Sequence, residues 1–336
     1  MNTQQRVIAS LFAFSILLLT ANIIIGKVLN TENKIIPPKV LTGAEIDSLF
    51  RIAVQNFGLP ATIMKNQKIN EVSLAEEYST FNLNLPNDLP IPVFIAELNE
   101  IFSGYETEIL SEEKKISGST LIKISSEDEI RLAAYIDYNK DLVRNASLVG
   151  FLITIDDKTQ KSDIDKLMDT PEPFAFLFTP SEVLKNFIKT ESVNKRQFAI
   201  VLGDETVDLD FKFESGYSER RLKSSVRNLL GAFSQAAFFI IDDNSSFYES
   251  KIYSFVENEF ISRKIKLIKK SRLNLINSSM NNISEHFSEL MQSIENNGSM
   301  MIVCSPTDFI GLLGEVRSYR KIGYKYLLPS EILLTL

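Results

Sequence analysis

The chain has 336 residues, 44% of them hydrophobic and 24% charged, which is enough for about two globular domains with a sizeable core. Its formal net charge of −7 argues against nucleic acid as a partner, because phosphate binding needs a basic surface. A single cysteine and a single histidine exclude an intrachain disulfide, a cysteine-based zinc site and any site that needs two histidines.

The first predicted element is an apolar helix. Residues 7–26 contain no charged side chain, and about 20 apolar residues span a bilayer as a helix. The apolar part of a cleaved signal peptide is shorter, about 7–15 residues. We therefore predict a signal anchor or single transmembrane helix over residues 1–30, with a short cytoplasmic N-terminus. The rest of the chain would lie outside the cytoplasm, and secretion after cleavage is the alternative.

Residues 31–41 form a predicted linker, and a small α+β domain follows over residues 42–142. Its first helix begins with a capping box, in which Thr42 is the N-cap and Glu45 lies three residues later. Gly58 fits the end of this helix. The other predicted elements are a helix at residues 90–102, which begins with two prolines, and four strands. The strands are residues 78–85, 106–110, 120–125 and 130–138. The pattern favours a packing, binding or spacer role over catalysis.

Over residues 147–334 strands alternate with helices. The clearest helices are residues 218–233 and 279–294, each with a stripe of apolar side chains. The predicted strands are residues 148–155, 174–178, 197–202, 236–241, 265–268, 300–303 and 324–328. About seven β-α units predict parallel strands with crossover helices. A (β/α) barrel, complete or distorted, and an open doubly wound sheet both fit this pattern.

Three of these strands end in adjacent acidic residues. The pairs are Asp156 and Asp157, Asp204 and Glu205, and Asp242 and Asp243. On a barrel they would meet at the carboxyl rim, where barrel enzymes keep their chemistry. Gathered carboxylates raise one another's pKa unless a cation neutralises them, and an all-oxygen cluster suits Mg²⁺, Mn²⁺ or Ca²⁺ better than Zn²⁺. The structural alternative is that these residues form turns and helix caps, which aspartate favours.

Basic residues close another predicted strand. Lys269, Lys270 and Arg272 could pair with the acids or bind an anionic glycan, and surface solvation is the alternative. His286 lies inside a predicted helix, at the edge of its apolar stripe. Cys304 lies in an apolar strand, where a free cysteine usually acts as a small hydrophobe.

The strand end Ile155-Asp156-Asp157 is similar to the I-D-D that opens the domain of the divergent polysaccharide deacetylases, a branch of the NodB-like carbohydrate deacetylases. The resemblance covers residues 147–334. Further resemblance lies in residues 168–180, 217–219, 265–272, 303–306 and 326–333, which are similar to later strands, turns and helix starts of the family. This resemblance implies an irregular (β/α) barrel, a polysaccharide substrate and a divalent metal held by one aspartate and two histidines.

The chain departs from the family at the histidines. The segment ending in Glu205 and the segment containing Asp242 have no histidine, and Ser305 stands where the family has another. The resemblance implies Asp157 as the first metal ligand and Asp156 as the general base, with Glu205 and Asp242 as replacement ligands if a metal is retained. The other predicted rim residues are Asp204, Asp243, Ser305, Lys270 and Arg272.

Three hypotheses follow for the function. In the first, the protein is a membrane-anchored envelope protein whose deacetylase-like domain has little or no hydrolase activity, with no cofactor assigned, and binds cell-wall polysaccharide or another envelope protein. In the second, it is an active metal-dependent carbohydrate deacetylase with a carboxylate-based site. In the third, it is a purely structural scaffold of the envelope.

Overall fold

The computed structural model describes residues 39–66, 78–113, 118–144, 147–156, 159–188, 196–277, 282–294 and 297–333. The predicted transmembrane helix and most of the predicted linker lie outside these ranges, as does Asp157. In the described ranges, no helix is both long and apolar enough to cross a membrane.

An N-terminal unit is built from a mixed five-stranded sheet and two helices. In chain order its elements are α1 Gly43–Asn56, a 3₁₀ turn Ala61–Ile63, β1 Met64–Asn66, β2 Ser79–Pro86, α2 Ile91–Phe102, β3 Glu108–Glu113, β4 Thr120–Ser126 and β5 Glu129–Asn139. The sheet order is β1-β2-β5-β4-β3, and only β2 and β5 run parallel. The predicted capping box of Thr42 and Glu45 is present at the start of α1.

The core of this unit lies between the sheet and the two helices. The Phe50 ring of α1 stacks on Phe81 of β2, with centroids 6.0 Å apart, and lies edge-on to Phe94 of α2 at 5.8 Å. All three side chains are buried. The alternation predicted for β2 therefore holds, because Phe81 and the residues two and four positions later face this core.

The C-terminal unit alternates strands and helices. Its elements are β6 Leu148–Ile155, α3 Lys161–Met168, β7 Ala175–Phe178, α4 Glu182–Ile188, β8 Gln197–Leu202, α5 Glu219–Ala232, β9 Phe238–Ile241, α6 Ser246–Glu249, α7 Tyr253–Ile261, β10 Leu267–Lys269, a 3₁₀ turn Lys270–Arg272, β11 Asn274–Leu275, α8 Ile283–Ser293, β12 Ser299–Cys304, α9 Pro306–Gly311, α10 Leu313–Ile322, β13 Lys325–Tyr326 and α11 Pro329–Leu333.

The strands of this unit form a curled, parallel half-barrel. The seven strands follow the order β10-β9-β8-β7-β6-β12-β11, and β13 pairs with β6 as well. From β6 to β10 each new strand lies beside the preceding one in a constant direction, which is the winding of a (β/α) barrel. The end strands β10 and β11 are separated in the chain only by the turn Lys270–Arg272 and by Leu273. The chain itself therefore keeps the two edges of the curled sheet near each other.

Each face of the half-barrel has its own apolar layer. The outer face packs under the helices through aromatic residues, and the Phe151 and Phe309 rings there have centroids 4.8 Å apart. The inner face carries smaller and aliphatic side chains of the strands, and α11 packs Ile332 onto it. A Cβ on Gly150 would lie 2.7 Å from the Ile332 Cδ1 atom. The glycine in β6 therefore makes room for the C-terminal helix.

Four predicted strands of this unit are shorter than expected. β7 and β9 begin at Ala175 and Phe238 rather than at residues 174 and 236, and β10 and β13 are also shorter. β10 begins at Leu267 rather than at Ile265, because the Ile265 N–H donates to the carbonyl of Phe260 at 3.1 Å and closes the turn after α7. β13 contains only Lys325 and Tyr326. β1 and β11 were not predicted at all, since strands of three and two residues carry too short a pattern to detect.

An ion pair between the buried Glu97 and the partly exposed Lys321 joins the two units. Glu97 of α2, only 6% exposed, accepts hydrogen bonds from Lys321 Nζ at 2.6 Å and from Asn56 Nδ2 at 2.8 Å. Gly58 has a φ of 68° and ends α1 as predicted. A Cβ at Gly58 would lie 2.5 Å from Ile322 Cγ2 of α10. Glycine at this position therefore permits two things: the positive φ that ends α1, and the close approach of α10 from the second unit.

Candidate functional site

The candidate site is the rim at the carboxyl ends of the parallel strands. The predicted residues there follow β6, β8, β9, β10 and β12, so the topology brings all of these strand ends to the same edge of the half-barrel. A metal or an acid–base site requires the acidic side chains to lie close to one another. The alternative is that each of them binds a neighbouring loop. The structure answers this for every predicted rim residue except Asp157.

Asp204, after β8, caps the beginning of α6. Its carboxylate accepts hydrogen bonds from the Ser246 N–H at 2.7 Å, from the Ser246 hydroxyl at 2.9 Å and from the Phe247 N–H at 3.3 Å. The hydrogen bond from the Ser246 backbone is the main reason that the pKa of Asp204 lies below its ordinary value of 3.8. Asp204 is therefore an ionised acceptor at neutral pH and not a general acid.

The acids after β9 contact the turn after β10. Asp243 accepts hydrogen bonds from the Ser271 N–H at 2.9 Å and from the Ser271 hydroxyl. Burial acts to raise the pKa of Asp243, but the hydrogen bonds from Ser271 outweigh it and the net shift is downward. Asp242 forms an ion pair with Lys270, with the Nζ and Oδ2 atoms 2.6 Å apart. These contacts connect two neighbouring strand ends.

The ends of β6 and β12 carry local turns. The Thr159 hydroxyl donates to the Asp156 carboxylate at 2.8 Å, and the Asp156 N–H donates back to that hydroxyl at 3.0 Å. Ser305 is the N-cap of α9, accepting from the Asp308 N–H at 3.2 Å and donating to the Asp308 carboxylate at 2.7 Å. Both predicted rim residues thus hold the backbone where a strand turns into the next segment.

The rim acids that the structure describes do not assemble into a metal site. Within the ranges described, no three Asp, Glu, His or Cys side chains are placed to hold one ion. Asp204, Asp242 and Asp243 each bind a neighbouring loop instead, and Glu205 is exposed. The described residues therefore do not fit the divalent metal that the resemblance implies, and the roles of Asp156 and Asp157 stay predictions.

A polar cavity of about 460 Å³ opens beside the end of β8. Asp204, Lys212 and Glu214 line it together with Phe213 and Phe247. Lys212 and Glu214 form an ion pair with their charged atoms 2.6 Å apart, and the hydrogen bond to Glu214 raises the pKa of Lys212. The sequence analysis did not predict this pair. The only signal for it in the sequence is that both residues lie in the loop after β8, and that loop begins at the rim.

The remaining candidates do not join the rim acids. His286 lies in α8 and its Nδ1 atom is 3.6 Å from the Glu289 carboxylate one turn later. Cys304 is buried, and burial raises the pKa of its thiol, so the neutral form prevails. Among the described residues, Arg272 has no ion-pair partner, while Lys269 Nζ lies 5.4 Å from the Tyr248 ring centroid.

Comparisons with known proteins give structural neighbours only. No family model matches the chain, and no curated protein matches it. The chain is similar to the solved structure of a CE4 family pseudoenzyme from Bacillus anthracis, with 12% identity and a TM-score of 0.36 over 57% of this chain and 66% of that one. It is also similar to a peptidoglycan deacetylase from Bdellovibrio bacteriovorus, with 13% identity and a TM-score of 0.35 over 56% of this chain and 53% of that one.

A mutant of the pseudoenzyme with restored enzymatic activity gives a similar match, with 11% identity, a TM-score of 0.36 and coverage of 66% of this chain and 91% of that one. These neighbours are thus a CE4 family pseudoenzyme, its mutant and a peptidoglycan deacetylase. Sequence identities of 11–13% and TM-scores of 0.35–0.36 assign no activity to the chain.

Proposed function

We propose that this protein is an envelope protein whose deacetylase-like half-barrel binds a cell-wall polysaccharide without hydrolysing it. The N-terminal apolar segment would anchor it to the membrane, with both units outside the cytoplasm. The observation that carries the proposal is the use of the rim acids. Asp204, Asp242 and Asp243 each bind an adjacent loop, which supports a role as turn and helix caps over a shared centre for a metal and water.

The polar cavity supports a glycan as the ligand. A sugar presents hydroxyl and amide groups that need both donors and acceptors, and Lys212 supplies donors while Glu214 and Asp204 supply acceptors. The lowered pKa of Asp204 keeps it an acceptor at neutral pH. Pockets that bind small ligands have volumes of roughly 300–1,000 Å³, and this cavity of about 460 Å³ falls in that range.

Pelleting with insoluble cell-wall polysaccharide tests the binding. The purified 336-residue chain should pellet with the polysaccharide, and Lys212→Ala with Glu214→Gln should weaken pelleting at least about tenfold, equivalent to about 1.4 kcal/mol. The matched control removes another Lys–Glu pair, Lys123→Ala with Glu112→Gln. That pair lies in the N-terminal unit, and its lysine is 32% exposed against 31% for Lys212. Equal weakening by both double variants would contradict a site in the cavity.

Acetate release tests the absence of hydrolysis. The same protein should release no acetate from acetylated polysaccharide with Mg²⁺, Mn²⁺, Ca²⁺ or Zn²⁺ present, and none of these ions should raise its melting temperature. Release that depends on a metal and disappears in Asp157→Asn would overturn the proposal and establish the enzyme hypothesis instead. A protein that neither releases acetate nor pellets would support the scaffold hypothesis.

A further inference from the structure

Three exposed apolar side chains lie together on the rim of the half-barrel. Val183, Val207 and Leu209 are 64%, 79% and 63% exposed, and Val207 is the most exposed large hydrophobic residue among those described. The Asp208 carboxylate accepts a hydrogen bond from the Glu182 N–H at 3.1 Å, so the residue between Val207 and Leu209 contacts the residue before Val183. We call these three side chains the apolar rim patch. Single exposed apolar residues are ordinary, whereas a group of them marks an interaction surface.

The loop that carries this patch has an anchored backbone. The carbonyl of Leu209 accepts a hydrogen bond from the Arg221 guanidinium at 2.7 Å. The carbonyl of Asp208 accepts one from the Phe211 N–H at 3.0 Å, and the Phe211 side chain is buried in the core. A partner that covers the patch would therefore have little loop to order, which lowers the entropic cost of binding.

The surroundings of the patch are acidic. Residues 204–210 contain four aspartate or glutamate residues and no basic residue. In the described part of the chain, Glu205 and Asp210 form no ion pair. A surface that is both apolar and acidic fits a partner that is apolar and basic. The same acids disfavour contact with an anionic membrane.

The chain carries a surface of this complementary kind. Residues 263–272 contain six lysines and arginines and no acidic residue. Lys264 and Lys266 are exposed, have no ion-pair partner among the described residues, and line a groove of about 910 Å³ at the starts of β9 and β10. The apolar residues of this basic groove that remain accessible are the exposed Ala237 and the half-buried Ile265, Leu267 and Leu333.

We propose that the apolar rim patch of one copy of this protein docks into the basic groove of a second copy. The apolar side chains of the patch would enter the groove, and the acids beside them would face Lys264 and Lys266. Because the two surfaces differ, each copy offers one surface while it uses the other, and the assembly extends beyond a dimer. The proposal does not rest on the polysaccharide site, since no residue of the patch or the groove lines the polar cavity.

Sedimentation velocity of the purified 336-residue chain in a non-ionic detergent tests the proposal. Its sedimentation coefficient should rise between about 5 and 200 µM, since small interfaces are usually weak. Val207→Ser with Leu209→Ser should raise the dissociation constant at least about tenfold, because the contact loses its apolar side chains. The matched control is Leu110→Ser with Val143→Ser, at side chains that are 48% and 74% exposed and lie outside both surfaces. It should change the dissociation constant less than about twofold.

Mixing two defective variants tests the pairing of the surfaces. Lys264→Glu with Lys266→Glu should abolish association, because the reversed charges repel the acids beside the patch. An equal mixture of this variant with Val207→Ser and Leu209→Ser should form a dimer and nothing larger, because one intact patch meets one intact groove. A wild-type chain that stays monomeric, or a mixture that does, would overturn the proposal. Association that needs the patch but survives the lysine changes would place the patch on another surface, which also refutes it.

Disulfide trapping tests the contact directly. A mixture of the Val207→Cys and Ala237→Cys proteins should give a cross-linked dimer on mild oxidation, because docking brings the two thiols close enough to bond. The native Cys304 is buried and does not compete. A mixture of Val207→Cys and Val143→Cys is the control, since Val143 is equally accessible but lies outside the groove. Equal cross-linking in the two mixtures would show random collision and contradict docking.

Discussion

Replacement of Asp204 by alanine separates the structural role of the rim acids from a catalytic one. In the folded protein this carboxylate accepts three hydrogen bonds, and two of them come from the backbone N–H groups of Ser246 and Phe247 at the start of α6. Alanine leaves those donors without an acceptor from this loop. Glu205 is the matched control, because it is an exposed carboxylate next in the chain and has no hydrogen-bond partner among the described residues.

The size of the effect follows from helix capping. Loss of a capping acceptor costs about 0.5–2 kcal/mol, and the three bonds to Asp204 place Asp204→Ala near the upper end, about 2 kcal/mol. For a unit of 150–250 residues, this corresponds to a melting temperature lower by roughly 4–8 °C. Glu205→Ala should change the free energy of unfolding by less than about 0.5 kcal/mol.

The dependence on pH gives a second readout. The pKa of Asp204 is lower in the folded protein than its ordinary 3.8, so its contribution is fully present above that value and is lost as the pH falls through the folded pKa. The stability difference between wild type and Asp204→Ala should thus be constant from pH 7 to pH 5 and shrink only below 3.8. Urea unfolding across this range measures it. Equal stability of the Asp204→Ala and Glu205→Ala proteins at pH 7 would refute the capping argument.

Three other predictions concern the interface of the two units and the buried thiol. Gly58→Ala should lower the free energy of unfolding by about 2–4 kcal/mol, measured by urea unfolding, because alanine is strained at positive φ and its methyl would overlap Ile322. Lys321→Met should cost about 1–2 kcal/mol in the same assay, since it leaves the buried Glu97 carboxylate without its cation. Cys304 should react with a thiol reagent at pH 8 only after unfolding, because it is buried and burial raises its thiol pKa.

Matched variants control these outcomes. Gly231→Ala, at a helical glycine with open space around it, should be neutral or stabilising by up to about 1 kcal/mol. Lys325→Met removes an exposed lysine that has no ion pair among the described residues, and it should be near neutral. If Gly58→Ala or Lys321→Met behaved like its control, the two units would not meet as described. Fast labelling of Cys304 in the folded protein would contradict its burial.

Local features of the fold were readable from the sequence because they depend on residues a few positions apart. Thr42 and Glu45 form the predicted capping box, and Ser218 caps α5 by accepting from the Arg221 N–H. β8 spans Gln197–Leu202 as predicted, since its apolar run is bounded by polar residues. β11, with only two residues, gives no such pattern and depends on its neighbour β12.

The candidate site shows the limit of this reasoning. The sequence by itself determined the alternation of strands and helices, the acidic strand ends and the absence of the family's histidines. Tertiary structure decided what those acids bind: Asp204 binds a helix start 42 residues away, and Asp242 binds Lys270, 28 residues away. It also decided the contact between Glu97 and Lys321, which are 224 positions apart. Spacing along a chain specifies local backbone geometry, whereas the partner of a side chain depends on which strand ends the packed sheet brings together.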